Sequence, residues 1–123
     1  MIQQCILIDD SQADLFVSRL LIRKAYNNCA VVEFKNGQEA LEYFNRVGEL
    51  KNTLIFIDIN MPVMNGFELL DELKNFTFDA SVKFFMLSSS NSPEDIDRVK
   101  QYNQVSNYFI KPLSQEQLKA LNC

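Results

Sequence analysis

The chain has 123 residues, enough for one domain that buries an ordinary core without disulfide or metal staples. Hydrophobic residues make up 47% and the net charge is −4, which fits a globular chain and argues against non-specific binding to nucleic acid or anionic membranes. Histidine and tryptophan are absent, which excludes Ser-His-Asp and Cys-His catalysis, histidine-ligated zinc and a phosphohistidine carrier role.

Cys5-Ile6-Leu7-Ile8 is predicted as a strand running straight into Asp9-Asp10. Residues 14–26 read as a helix with Ala13, Val17, Leu20 and Leu21 on its inward face and Arg19, Arg23 and Lys24 pointing away. Asn27-Asn28 ends it, and Ala30 to Phe34 forms the second strand. Residues 38–47 repeat apolar positions at helical spacing (Ala40, Leu41, Phe44, Val47) until Gly48 stops them. Leu54-Ile55-Phe56-Ile57 is the third strand, running into Asp58.

A helix over residues 66–74 turns Phe67, Leu70 and Leu73 inward. Val82 to Leu87 is the fourth strand. Ser92-Pro93-Glu94-Asp95 starts a helix that runs to about Tyr102, with Ser as the cap, Pro first and acids in the first turn. Val105 to Ile110 is the fifth strand, and Ser114-Gln115-Glu116-Gln117 is a capping box for a short last helix.

Strict alternation of strand and helix predicts an α/β fold, a doubly wound five-stranded parallel sheet covered on both faces. Ligands of such sheets bind at the carboxyl ends of the strands. At that edge the first strand supplies Asp9 and Asp10, the third Asp58 and Asn60, the fourth Ser88, Ser89 and Ser90, and the fifth Lys111-Pro112. Clustered carboxylates are costly unless something compensates them, and they suit a hard cation such as Mg²⁺. With an ammonium, a hydroxyl and a carboxylate nucleophile, these parts are what phosphoryl transfer requires.

Those residues carry a resemblance. Asp9-Asp10, Asp58 within Ile57-Asp58-Ile59-Asn60-Met61-Pro62, then Gly66, Ser88 and Lys111-Pro112 resemble the receiver domain of two-component response regulators, and the match spans residues 1–123. The resemblance implies the flavodoxin-like, CheY-like strand order 2-1-3-4-5. It also implies that Asp58 is the phosphoacceptor, that Asp10, Asp58 and the backbone carbonyl of Asn60 bind Mg²⁺, and that Asp9 acts through water. Ser88 and Lys111 would contact the phosphoryl group, Tyr108 with Ser88 would form the switch, and the Lys111-Pro112 bond would be cis. Asn60 and Ser90 would occupy the two variable positions flanking the site.

The implied function is a cytoplasmic, phosphorylation-dependent signalling switch, a phosphoacceptor regulator and not an enzyme acting on other molecules. Its phosphodonor would be a sensor histidine kinase or histidine phosphotransfer protein, and its downstream partner would be a protein rather than nucleic acid or membrane. No output domain is expected on this chain. Three other readings compete with this one. A haloacid-dehalogenase-type phosphatase needs Asp-x-Asp, which is missing here. A flavodoxin-like cofactor binder needs a hydroxyl- or glycine-rich first loop, where Asp9-Asp10 would repel phosphate. The remaining alternative is a receiver fold used as a docking module without phosphorylation.

No run reaches the ~18 apolar residues of a membrane span, and Met1 to Gln4 shows no signal peptide. Cys5 is expected buried in its strand, while Cys29 at a loop edge and Cys123 at a tail show no activating neighbour; reduced thiols are the default.

Overall fold

The chain's structure, a computed structural model, describes residues 1–121. It contains β1 (Gln4–Ile8), α1 (Gln12–Ala25), β2 (Ala30–Phe34), α2 (Gly37–Arg46), β3 (Thr53–Ile57), α3 (Gly66–Leu73), β4 (Val82–Ser88), α4 (Pro93–Val99), β5 (Val105–Ile110) and α5 (Gln115–Ala120). The strands form one parallel sheet in the order β2-β1-β3-β4-β5, as the sequence predicts.

Four apolar residues in succession can be buried together only when both faces of a strand are covered. That condition holds at β1 and β3, where alternate residues feed two separate cores. Ile6, Ile8, Ile55, Ile57, Phe84 and Met86 face one side, against Ala40 and Phe44 of α2, Phe67, Leu69 and Leu70 of α3 and Val99 of α4. Cys5, Leu7, Leu54, Phe56, Phe85 and Leu87 face the other, against Leu15 and Ile22 of α1 and Leu118 of α5.

Each helix starts on a side-chain cap. Ser11, Asn36, Asn65, Ser92 and Ser114 are extended residues whose side chains accept a backbone N–H from the first turn. Such a cap satisfies a donor that the helix itself cannot. Asn65 and Ser114 complete capping boxes with Glu68 and Gln117.

Three expectations are corrected. The inward face of α1 is Leu15, Ser18 and Ile22 with half-buried Leu21 packed beside them as expected, while Val17 and Leu20 are 43% and 47% exposed and Ala13 is exposed too. This helix is apolar on more than one side, so spacing alone does not select which stripe meets the sheet. Arg19 does not point away; it pairs with Glu33 of β2. The α4 helix ends at Val99 rather than near Tyr102, and Lys100 to Tyr102 close it with short turn bonds.

Pairing between β4 and β5 shifts register between Phe84 and Phe85, whose partners are Val105 and Asn107. Ser106 is therefore a surplus residue, a bulge in the edge strand. Cys29 sits at the loop edge just before β2, as the sequence reading has it, and is buried there with its thiol 3.5 Å from that of Cys5. Cys123 lies outside the described residues.

Candidate functional site

The carboxyl ends of β1, β3, β4 and β5 bring the predicted residues to one place. Carboxylate oxygens of Asp9, Asp10 and Asp58 all lie within 4.8 Å of one another. The Lys111 ammonium stands among them, 2.5 Å from Asp9 and 3.3 Å from Asp58. Ser88, at the end of β4, is fully buried.

Local bonds fix these groups. The Ser11 N–H donates to Asp9 at 2.9 Å, and the Ile59 N–H donates to Asp58 at 2.8 Å. The Lys111 N–H donates to the Ser88 carbonyl at 2.9 Å, which ties the start of the last loop to β4. The Lys111–Pro112 peptide is cis. Gly66 sits behind Asp58, where a Cβ would overlap the Asp58 carbonyl oxygen. Glycine is thus required for close backbone approach.

The electrostatics are unbalanced. Asp9 and Asp58 are 6% and 7% exposed, and one ammonium must serve them both. Burial and the charge of Asp9 push the Asp58 carboxyl up to about 6, although Lys111 and Ser88 pull it the other way. Burial acts to lower the Lys111 pKa, but bonds to Asp14 and Asp9 and the Asp58 charge override it and raise the ammonium above its ordinary value. Asp10 is exposed and, among the described residues, makes no side-chain hydrogen bond or ion pair. Asn60 is exposed in the loop directly after Asp58. Three convergent carboxylates are hard oxygen donors of the kind Mg²⁺ takes.

Two features were missed from sequence. Asp14, in the first turn of α1, accepts a bond from Lys111 at 2.8 Å, 97 residues away along the chain. The signal was its position four residues after Asp10, on the helix that leaves the acidic edge. The second is the set of bonds made by Ser90, a residue the sequence reading already places beside the site. Its N–H donates to the Ser88 hydroxyl at 3.2 Å, its hydroxyl donates to Asp95 of α4 at 2.7 Å, and its carbonyl accepts from the Tyr108 hydroxyl at 2.8 Å. Tyr108, half-buried on β5, is thereby tied to the loop that follows Ser88.

The sequence matches the response regulator receiver domain family over residues 5–121. It is 31% identical to the two-component response regulator ARR5 of Arabidopsis thaliana over 93% of this chain and 65% of that protein. The chain spans between about half and two thirds of the length of the plant relatives it matches. The fold superposes on a two-component response regulator from Cytophaga hutchinsonii with a TM-score of 0.85 and 31% identity, covering 98% of this chain and 93% of that one. A phosphorylated cyanobacterial phytochrome response regulator, RcpA, gives a TM-score of 0.76 and 26% identity, covering 98% and 89%.

Proposed function

Because this chain belongs to the response regulator receiver domain family, we propose that it is a phosphorylation-dependent switch whose phosphoacceptor is Asp58. The observation that carries this reading is the convergence of Asp9, Asp10 and Asp58 on one ammonium, Lys111, beside the buried Ser88.

The donor is a sensor histidine kinase or a histidine phosphotransfer protein. An Asp58 carboxylate oxygen forms a bond to phosphorus as the bond from phosphorus to the donor's histidine nitrogen breaks, and the imidazole leaves with that electron pair. Asp10, Asp58 and the Asn60 carbonyl would hold Mg²⁺, with Asp9 contributing through water; the exposed Asp10, which makes no side-chain hydrogen bond or ion pair among the described residues, supports this assignment. A bound Mg²⁺ supplies neutralisation of the charge that accumulates between the carboxylates and the phosphoryl oxygens. Lys111 and Ser88 donate to those oxygens.

The new group carries roughly −1.5 to −2 charge. It draws on Ser88, which Ser90 connects to α4 and Tyr108. Phosphorylation then shifts the population of loop conformations by its differential affinity for them. The surface of α4, β5 and α5 changes shape and alters how a partner protein docks. Nothing in the geometry favours the docking module without phosphorylation, since the acids, the ammonium and the hydroxyl are all in place.

Incubation with acetyl phosphate and Mg²⁺ adds one phosphoryl mass to the intact protein, and Asp58→Asn abolishes it. A mass shift that survives in Asp58→Asn overturns the assignment.

A further inference from the structure

The Lys111 ammonium has three donors. All three are committed, to Asp9 at 2.5 Å, Asp14 at 2.8 Å and Asp58 at 3.3 Å. Asp9 and Asp58 belong to the convergent trio of carboxylates; Asp14 does not. A cation held by the trio would draw Asp9 and Asp58 off the ammonium and leave Asp14 as its remaining partner. A phosphoryl group on Asp58 must then compete with Asp14 for the same donors.

Asp14 and Lys111 also line one cleft of about 410 Å³ with Val17, Ser18, Ser89 and Pro112. The Asp14 side chain is 44% exposed while that of Lys111 is 12% exposed. The carboxylate thus reaches inward from the cleft's rim to a buried cation. A first-turn acid can exist merely to favour the helix N-terminus. That account leaves the bond to a strand-end lysine unexplained.

We infer that Asp14 is a positioning residue that restrains Lys111. It holds the ammonium toward α1, away from the phosphoryl oxygens, and so slows the rate at which Asp58 takes a phosphoryl group. The inference rests on the phosphoacceptor reading of Asp58. A half-exposed ion pair is weak, so Asp14 acts as a restraint that phosphorylation overcomes, not as a block.

The test is the near-isosteric Asp14→Asn, with two readouts of expected opposite sign. Mg²⁺ affinity, measured by titration, falls about two- to fivefold, because the ammonium settles wholly on Asp9 and Asp58 and competes with the cation. Labelling by acetyl phosphate at saturating Mg²⁺, followed by intact mass, rises about two- to fivefold, because Lys111 is free to pair with the phosphoryl oxygens. A merely structural role lowers both. Labelling that is unchanged or slower in Asp14→Asn overturns the inference. So does a gain that vanishes in about 1 M salt, where the Debye length is ~3 Å and a distant field is screened but a contact pair is less so. Wild-type protein that binds Mg²⁺ yet takes no phosphoryl group overturns the phosphoacceptor reading itself, and this inference with it.

Discussion

The two ends of the same five strands are built on opposite terms. At the amino end, polar groups are satisfied locally and the remaining space is aromatic. The Asn52 N–H donates to the Ser81 hydroxyl at 2.8 Å, Thr53 donates to the Lys51 carbonyl at 3.0 Å, and both the N–H and the hydroxyl of Ser81 donate to Asp79. Phe44, Phe76, Phe78 and Phe84 meet around them, with ring centroids 4.9–6.5 Å apart. At the carboxyl end, buried carboxylates crowd one lysine. The same residue type shows the contrast: bonds from Ser81 hold the Asp79 carboxyl below its ordinary range, whereas burial and Asp9 push Asp58 up to about 6. One end stabilises the sheet, and the other gives up stability to keep unneutralised charge in place.

Perturbing each end separately tests this division. The largest effect is expected at the aromatic end. Phe84→Ala removes a buried ring that contacts Phe78 and should cost about 3–5 kcal/mol in chemical denaturation. Labelling by acetyl phosphate, per folded molecule, should be unchanged. A proportionate loss of labelling would show that the two ends are not independent.

Asp58→Asn should do the reverse, abolishing labelling while stabilising the cation-free protein. The sign follows from linkage. A carboxyl raised to about 6 in the folded state binds more protons than it does unfolded, so stability falls as pH rises from about 4 to about 6. At pH 7 the substitution removes that penalty, a gain of up to about 3 kcal/mol. Below pH ~4 both states are protonated and the gain should vanish. A gain of equal size at pH 3.5 and pH 7 would mean that packing, not charge, is responsible.

Mg²⁺ should relieve the same penalty in the wild type. At ten times its Kd it should add about 1.4 kcal/mol of stability, read as a rise in Tm. Asp10→Ala should lose most of that rise, and Asp9→Ala less, because Asp9 is already held by Ser11 and Lys111. Equal rises in the wild type and Asp10→Ala would remove Asp10 from the cation site. The smallest effect is expected away from both ends. Ser114→Ala removes the cap of α5 and should cost about 1 kcal/mol, with labelling and Mg²⁺ affinity both unmoved.

What the sequence made legible was whatever depends on order along the chain. Cys5 to Ile8 and Leu54 to Ile57 are short apolar runs that admit few placements, and each hands its next residue to the sheet edge. The chemistry of Asp9, Asp58, Ser88 and Lys111 is therefore legible from their order along the chain. Contacts that depend on helix rotation or loop path were hidden. The rotation of α1 was misread because Leu15, Phe16, Val17, Leu20, Leu21 and Ile22 offer more than one apolar stripe. Asp14 was missed for the same reason, since its reach to Lys111 follows from that rotation. Ser90 was placed beside the site by resemblance, but its bonds to Ser88, Asp95 and Tyr108 depend on the path of the loop and were not legible.

The surplus residue in β5 has a consequence for phase. Side chains of a strand alternate, so one residue too many reverses which face every later residue takes. Beyond Ser106, Tyr108 pairs with Met86 and Phe109 with Leu87. Phe109 thereby joins the core under α1 and α5, and Tyr108 packs on the α4 side. In an unbulged strand of the same composition those two rings would exchange faces, and the hydroxyl that meets Ser90 would be replaced by a phenyl group without a donor. The bulge thus works as a parity bit: by taking Ser106 out of the count it keeps Tyr108 opposite Met86 and Phe109 opposite Leu87, and deletion of Ser106 should straighten the strand and leave both rings on their present faces.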